Sequence, residues 1–203
     1  MIPLRHPLLL ASASPRRQEI LHQIGIDHQV LKVPAPAGED EPILAGETPL
    51  DYVQRTARDK AIRARAWLQS LADAPADAAV LTADTTVALD GDILGKPVDA
   101  AHAAQTLQRL SGRTHQVLTA VVLTHGDRLW EALSVSQVTF LPLSEAQIAA
   151  YCAGGEAMGK AGAYAIQGQA AVFVQDMQGS HSGIMGLPAS TTYLLLQQAG
   201  LLA

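Results

Sequence analysis

Short apolar runs alternate with helix-spaced amphipathic stretches along most of the chain, and this alternation predicts an α/β fold with helices flanking a central sheet. Two further observations support that class. Residues suited to capping helices stand where helices would begin, at Ser14, Thr48, Asp99 and Ser144. The 203 residues are 48% hydrophobic but only 4% aromatic, so the core must be built from Leu, Val, Ile and Ala. A chain of this length can bury about 70% of its unfolded surface, which fits a single domain over residues 1–203.

Taken in order, Leu8 to Ala11 reads as a buried strand that stops at Ser12. Pro15 to Ile24 reads as a helix, with Ser14 as its cap, Pro15 in the first turn where no amide donor is needed, and Gly25 as its end. His28 to Val33 is a second strand. A loop over 34–48 follows, rich in Pro and Gly and carrying Glu39, Asp40, Glu41 and Glu47. Thr48 and Pro49 open a long helix with Tyr52, Val53, Thr56, Ala57, Lys60 and Ala61 on one face. A linker over 72–78 leads to a strand from Ala79 to Ala83 that continues from Thr85 to Leu89 and meets a turn at Asp90-Gly91. Asp99 caps a helix ending at Leu110. Two β-rich runs, Thr114 to Leu123 and Leu129 to Leu141, flank a hairpin break at His125-Gly126-Asp127. A helix capped by Ser144, a strand over Val172 to Val174 and a final helix from about Ala189 complete the reading.

Composition narrows the functions. Lys plus Arg number 14 against 19 Asp plus Glu, a net charge of -5, which speaks against a binder of nucleic-acid polymers. Scarce aromatics deprive a single-strand binder of its stacking platforms. The lone cysteine, Cys152, makes no intrachain disulfide, which suits a reducing cytoplasm. The Leu8 to Ala11 run is too short for a signal-peptide core, and no apolar stretch approaches the ~18 residues of a membrane span. Residues 177–203 hold no Asp, Glu, Lys or Arg, and they read as a buried or self-associating segment.

Three places carry chemistry. Ser12-Ala13-Ser14-Pro15-Arg16-Arg17 joins a strand to a helix. There, free amides at a helix N-terminus, two hydroxyls and two guanidiniums offer a phosphate site; the plainer reading is a capped helix with surface arginines. Asp84 follows an apolar strand in Thr82-Ala83-Asp84-Thr85-Thr86, where a carboxylate can orient a metal or take a proton from water, and where an acid is also ordinary turn chemistry. Gly91 to Pro97 has glycines one residue too close for a P-loop and proline in place of the metal-binding hydroxyl. It leaves Lys96 in a stiff Gly-Lys-Pro turn. The seven histidines lack metal-ligand spacing, and Gly179-Ser180-His181-Ser182-Gly183 has histidine where a nucleophile elbow needs serine, so it reads as a turn.

Seven segments in register resemble the Maf family of nucleoside triphosphate pyrophosphatases: 10–17, 46–49, 83–85, 94–97, 110–115, 160–168 and 186–188. The resemblance spans nearly the whole chain. It implies a mixed, twisted sheet in two lobes around a nucleotide-binding cleft, and hydrolysis between the α- and β-phosphates with a divalent metal, Mg²⁺ or Mn²⁺. By position it implies Asp84 as proton acceptor and Glu41 as an acidic active-site residue; carboxylates at Asp84 and Glu41 also suit the metal, which leaves Asp84 with two alternative roles, base or metal ligand. Ser12, Arg16, Arg17, Lys60 and Lys96 match its phosphate-contacting positions. Arg16, Thr85 and Gln167 are similar to the subgroup acting on dTTP and UTP, and a glutamine amide suits a uracil or thymine edge. The family also suggests a homodimer. Gly159, where many relatives carry Asp, and His181-Ser182-Gly183, where tyrosine is common, depart from the pattern. The alternative is a non-catalytic, nucleotide-responsive protein of cell-division control.

Overall fold

A single mixed sheet organises the computed structural model, which describes residues 2–36, 41–75 and 77–203. β1 (Leu8–Leu10) leads through α1 (Pro15–Gln23) to β2 (Gln29–Val30), and α2 (Pro49–Ser70) leads to β3 (Ala79–Leu89). Then come β4 (Asp92–Leu94), α3 (Ala100–Leu110), β5 (Thr114–His125), β6 (Arg128–Phe140) and α4 (Glu145–Ala153). β7 (Val174–Gln178), α5 (His181–Met185) and α6 (Ala189–Gln198) close the chain. The strands lie in the order β2-β1-β3-β5-β6-β7, with β4 on β3. β1 pairs parallel with β2 and β3, while the remaining pairs are antiparallel. The expected class therefore holds. Glu39 and Asp40 of the acidic loop lie outside the described residues.

Alternation along β3 separates two faces. Ala79, Leu81 and Ala83 pack with α1 and α6 side chains such as Leu21 and Leu196, whereas Val87 and Leu89 pack with Leu107 of α3 and Tyr151 of α4. These two clusters share one face of the sheet, and Thr85 lies between them along the strand. On the opposite face, Ala88, Leu118, Ala120 and Val122 meet Val53, Ala57 and Ala61 of α2. Small residues on that helix let it approach the sheet closely, which matters for what Asp84 can touch.

β3 is longer than its neighbours on one side. β1 pairs with Ala79–Leu81 and β4 with Val87–Leu89. Residues 82–86 consequently have β5 on one edge and, among the described residues, no strand on the other. This notch opens both faces of the sheet to one space.

The turn expected at Asp90-Gly91 is present: with φ of 55° and 88°, the two residues make a hairpin loop that folds 92–94 back onto β3, a strand the sequence reading did not include. Three local expectations change. The strand expected over Val172 to Val174 is a 3₁₀ turn over Gln169–Phe173 followed by β7, a half-exposed edge strand whose polar Gln175, Asp176 and Gln178 hid it. The turn expected at 179–183 begins α5, capped by Ser180, whose hydroxyl accepts from the Gly183 amide. Ser14 stands at the cap position of α1, yet its side chain makes no capping hydrogen bond. The charge-free C-terminal segment buries Leu195 and Leu196 and leaves Tyr193 and Leu194 exposed. No helix among the described residues is long and apolar enough to cross a membrane.

Candidate active site

Thr48 caps α2 by accepting from the Asp51 amide at 3.2 Å, and Pro49 fills the first turn. One turn apart on the sheet-facing side, Thr56 and Lys60 then meet Asp84. Thr56 Oγ1 donates to Asp84 Oδ2 at 2.7 Å, and Lys60 Nζ donates to Oδ1 at 2.5 Å. Lys60 also pairs with Glu41, whose other oxygen lies 3.6 Å from Lys96 Nζ. The Tyr52 hydroxyl donates to the Glu41 carbonyl at 3.2 Å and steadies the acidic loop. One ammonium thus sits between two carboxylates.

Asp84 is only 4% exposed. Burial pushes its carboxyl upward, but the Lys60 charge and hydrogen bond, the Arg17 charge and the Thr56 hydroxyl together hold it below the ordinary carboxylate range. The group is ionised at neutral pH. Tyr52 is pushed up by burial and by the charges of Asp84 and Glu41, so it stays a neutral donor.

Because neighbouring strand residues face opposite sides, Thr85 looks the other way. Arg17 Nη2 donates to Thr85 Oγ1 at 3.4 Å, Nη1 to Ser12 Oγ at 3.2 Å, and Nε to the Gly186 carbonyl at 2.8 Å. Burial lowers the Arg17 pKa and Asp84 opposes that shift; an arginine so placed remains charged. Arg16 Nε donates to the Met185 carbonyl at 3.3 Å. The last carbonyls around α5 therefore aim both guanidiniums, a task the sequence reading assigned to no element. Ser12 Oγ also accepts from the Ser14 amide at 3.1 Å, so the uncapped start of α1 opens into the same space.

That space is a cavity of about 800 Å³. It brings together every residue singled out from the sequence: Ser12, Arg16, Arg17, Glu41, Lys60, Asp84, Thr85, Lys96 and Gln167. Gln167 is exposed at its rim, on a segment folded around Glu156. The Glu156 carboxylate accepts from the Tyr151 hydroxyl at 2.9 Å and from the Gln169 amide at 3.1 Å. Gly162, at φ 68°, passes so close to Val87 that a Cβ would lie 2.8 Å from Cγ2. Gly159 also lines the cavity, and a Cβ there would meet nothing within 4 Å. Gly183 supplies the carbonyl that accepts from Thr119 Oγ1 at 2.8 Å. The departure at 181–183 thus supports the sheet beside the cavity.

Three lining cations were missed: Lys32, Arg63 and Lys160. Arg63 lies three residues beyond Lys60 on α2, a spacing that places both on one side of a helix. Lys160 opens the Lys-Ala-Gly motif, and its ammonium donates to the Glu156 carbonyl at 2.6 Å. Burial, followed by the Arg16 charge, lowers its pKa. Lys32 had no signal beyond strand alternation. As for a metal, Glu41 and Asp84 offer the hard carboxylate oxygens that Mg²⁺ or Mn²⁺ takes together with phosphate oxygens, so the donor set fits such an ion.

Fold and site together define an α/β protein with a cation-lined cleft cut into a sheet edge around one buried, ionised carboxylate. A family model described as Maf-like protein matches residues 7–199, and the chain belongs to the Maf family. It is 55% identical to a dTTP/UTP pyrophosphatase of Bordetella pertussis, over 96% of this chain and 93% of that one. It is 52% identical to proteins of the same name from Polaromonas, covering 95% of each chain, and Methylococcus capsulatus, covering 96% of this chain and 91% of the other.

Proposed function

We propose that this protein hydrolyses nucleoside triphosphates, dTTP and UTP foremost, to the monophosphate and pyrophosphate. The observation that carries the reading is an ionised Asp84 facing the same cavity as Arg16, Arg17, Lys60 and Lys96. A triphosphate needs such charge neutralisation, and its hydrolysis needs a positioned water more than covalent chemistry. A protein that only bound nucleotide would have no use for a buried acid among the cations.

In this reading Arg16, Arg17 and Lys96 bind the phosphate chain, with Ser12 and the start of α1 adding neutral donors. Asp84, oriented by Thr56 and Lys60, accepts the proton of the attacking water. The water oxygen bonds to the α-phosphorus, the bond to the bridging oxygen breaks, and pyrophosphate leaves with the electron pair. Glu41 and Asp84 would hold Mg²⁺ or Mn²⁺, which supplies further neutralisation of phosphate charge. The same reading assigns Thr85 and Gln167 to recognition of the nucleoside, for which the Gln167 amide can donate to and accept from a pyrimidine edge. The continuous sheet from β2 to β7 supports one working unit over residues 1–203.

The test is product identity. Pure protein with Mg²⁺ and dTTP, UTP, CTP, ATP or GTP is expected to release monophosphate and pyrophosphate in equal amounts, fastest from dTTP and UTP. Diphosphate with orthophosphate, or no product, overturns the reading.

A further inference from the structure

We propose that His6, Asp77 and His125 form a binding site for one divalent transition-metal ion of the zinc class, remote from the cavity. His6 Nδ1 lies 2.8 Å from Asp77 Oδ2, and His125 Nε2 lies 2.9 Å from Asp77 Oδ1. The two imidazole rings are 4.5 Å apart, and one ligand atom from each residue falls within 4.8 Å of the others. None of the three lines the cavity. Asp77 precedes the first residue of β3, whereas Asp84 is five residues into that strand, about 17 Å further along it.

The backbone presents these side chains from three distant segments. The Ala79 amide donates to the Pro7 carbonyl at 2.9 Å, which fixes His6 beside the start of β3. His125 ends β5 opposite Arg128, at the hairpin to β6. Asp77 adopts φ 56°, a left-handed conformation that aspartate tolerates but does not favour, and its carbonyl lies 3.2 Å from His125 Nε2. Contacts local in sequence do not demand this convergence.

Two imidazole nitrogens and one carboxylate oxygen make a borderline donor set, matched to Zn²⁺ or Co²⁺ and poorly matched to Mg²⁺. Metal–ligand bonds of about 2.0–2.1 Å in a tetrahedron separate ligand atoms by roughly 3.4 Å, so each short contact opens by about half an ångström. The side chains of His6, Asp77 and His125 are 31%, 60% and 18% exposed, which gives an ion access and leaves a fourth position for water. A bound ion would tie the segment before β1, the loop before β3 and the β5–β6 hairpin together, a structural role distinct from the hard-oxygen pair Glu41 and Asp84.

Chelator-treated full-length protein, dialysed against zinc chloride, is expected to bind one zinc lost in both His6→Gln and His125→Asn, with affinity weakened about a hundredfold or more. Co²⁺ in the wild type is expected to give the visible absorption of a tetrahedral nitrogen–oxygen site, a readout that needs no variant to fold. Zinc is expected to raise the wild-type melting temperature and leave that of the variants unmoved. Mg²⁺-supported turnover of UTP is expected to stay within about twofold of wild type in both variants, so the site can fail without the proposed function failing, and conversely. Absence of bound zinc and of the cobalt bands overturns the site. So does zinc that survives both histidine substitutions but is lost in Glu41→Gln or Asp84→Asn.

Discussion

At Asp84 two opposing effects meet, and the cations win. Burial alone would protonate the carboxyl, but Lys60, Arg17 and the Thr56 hydroxyl keep it charged. Replacing it with the isosteric amide keeps the Thr56 contact and removes the carboxylate proposed to accept the proton of water. Asp84→Asn is therefore expected to lower kcat by about 10²–10⁴-fold with an unchanged circular dichroism spectrum; near-wild-type turnover would remove Asp84 from the chemistry. Asp84 was legible in the sequence because an acid after an apolar run is conspicuous, and so were Arg16, Arg17 and Lys96 beside turn-forming residues. Thr56 was seen only as a member of the core face of α2. A hydroxyl one turn from a lysine says nothing about reaching a carboxylate 28 residues away until the helix lies on the sheet. Lys160 was hidden for a related reason: its role depends on the fold of the segment it begins.

Among the elements, the notch in β3 governs the site, and it follows from unequal strand lengths. Eleven residues of β3 meet three of β1 and three of β4 on one edge, which leaves the middle open. The Asp-Gly turn was legible, yet the three residues after it carried too little alternation to be read as a strand. α5 escaped because five residues dominated by Ser, Gly and His look like a turn. Across the notch, the segment bearing Lys160 and Gln167 is held to β5 by His115, whose Nε2 lies 2.8 Å from the Tyr164 hydroxyl. His115 is 2% exposed and burial pushes its pKa down to about 4. The unfolded chain takes up that proton near pH 6.5, the folded chain only near 4, so stability falls as pH drops through this interval. By pH 4 the loss is expected to reach roughly 3 kcal/mol, read by denaturant unfolding, and His115→Asn is expected to flatten it. An unchanged slope would mean that His115 titrates normally.

Over the whole molecule, the sheet delivers two chemistries to one cavity from its two faces. Asp84, Lys60 and Thr56 belong to the α2 side; Thr85, Arg17 and Gly186 belong to the side shared by α1, α3, α4 and α6. An unbroken sheet would wall these groups off from one another, and the gap between β1 and β4 joins them. The α/β class was legible because alternation survives without tertiary context, whereas the gap depends on which strands pair with which. The central claim, that this site directs water onto the α-phosphorus, has a direct test in turnover of UTP in ¹⁸O-enriched water followed by mass spectrometry of both products. The label is expected in the nucleoside monophosphate. Label in the pyrophosphate would place the attack on the β-phosphorus and contradict this account of the site.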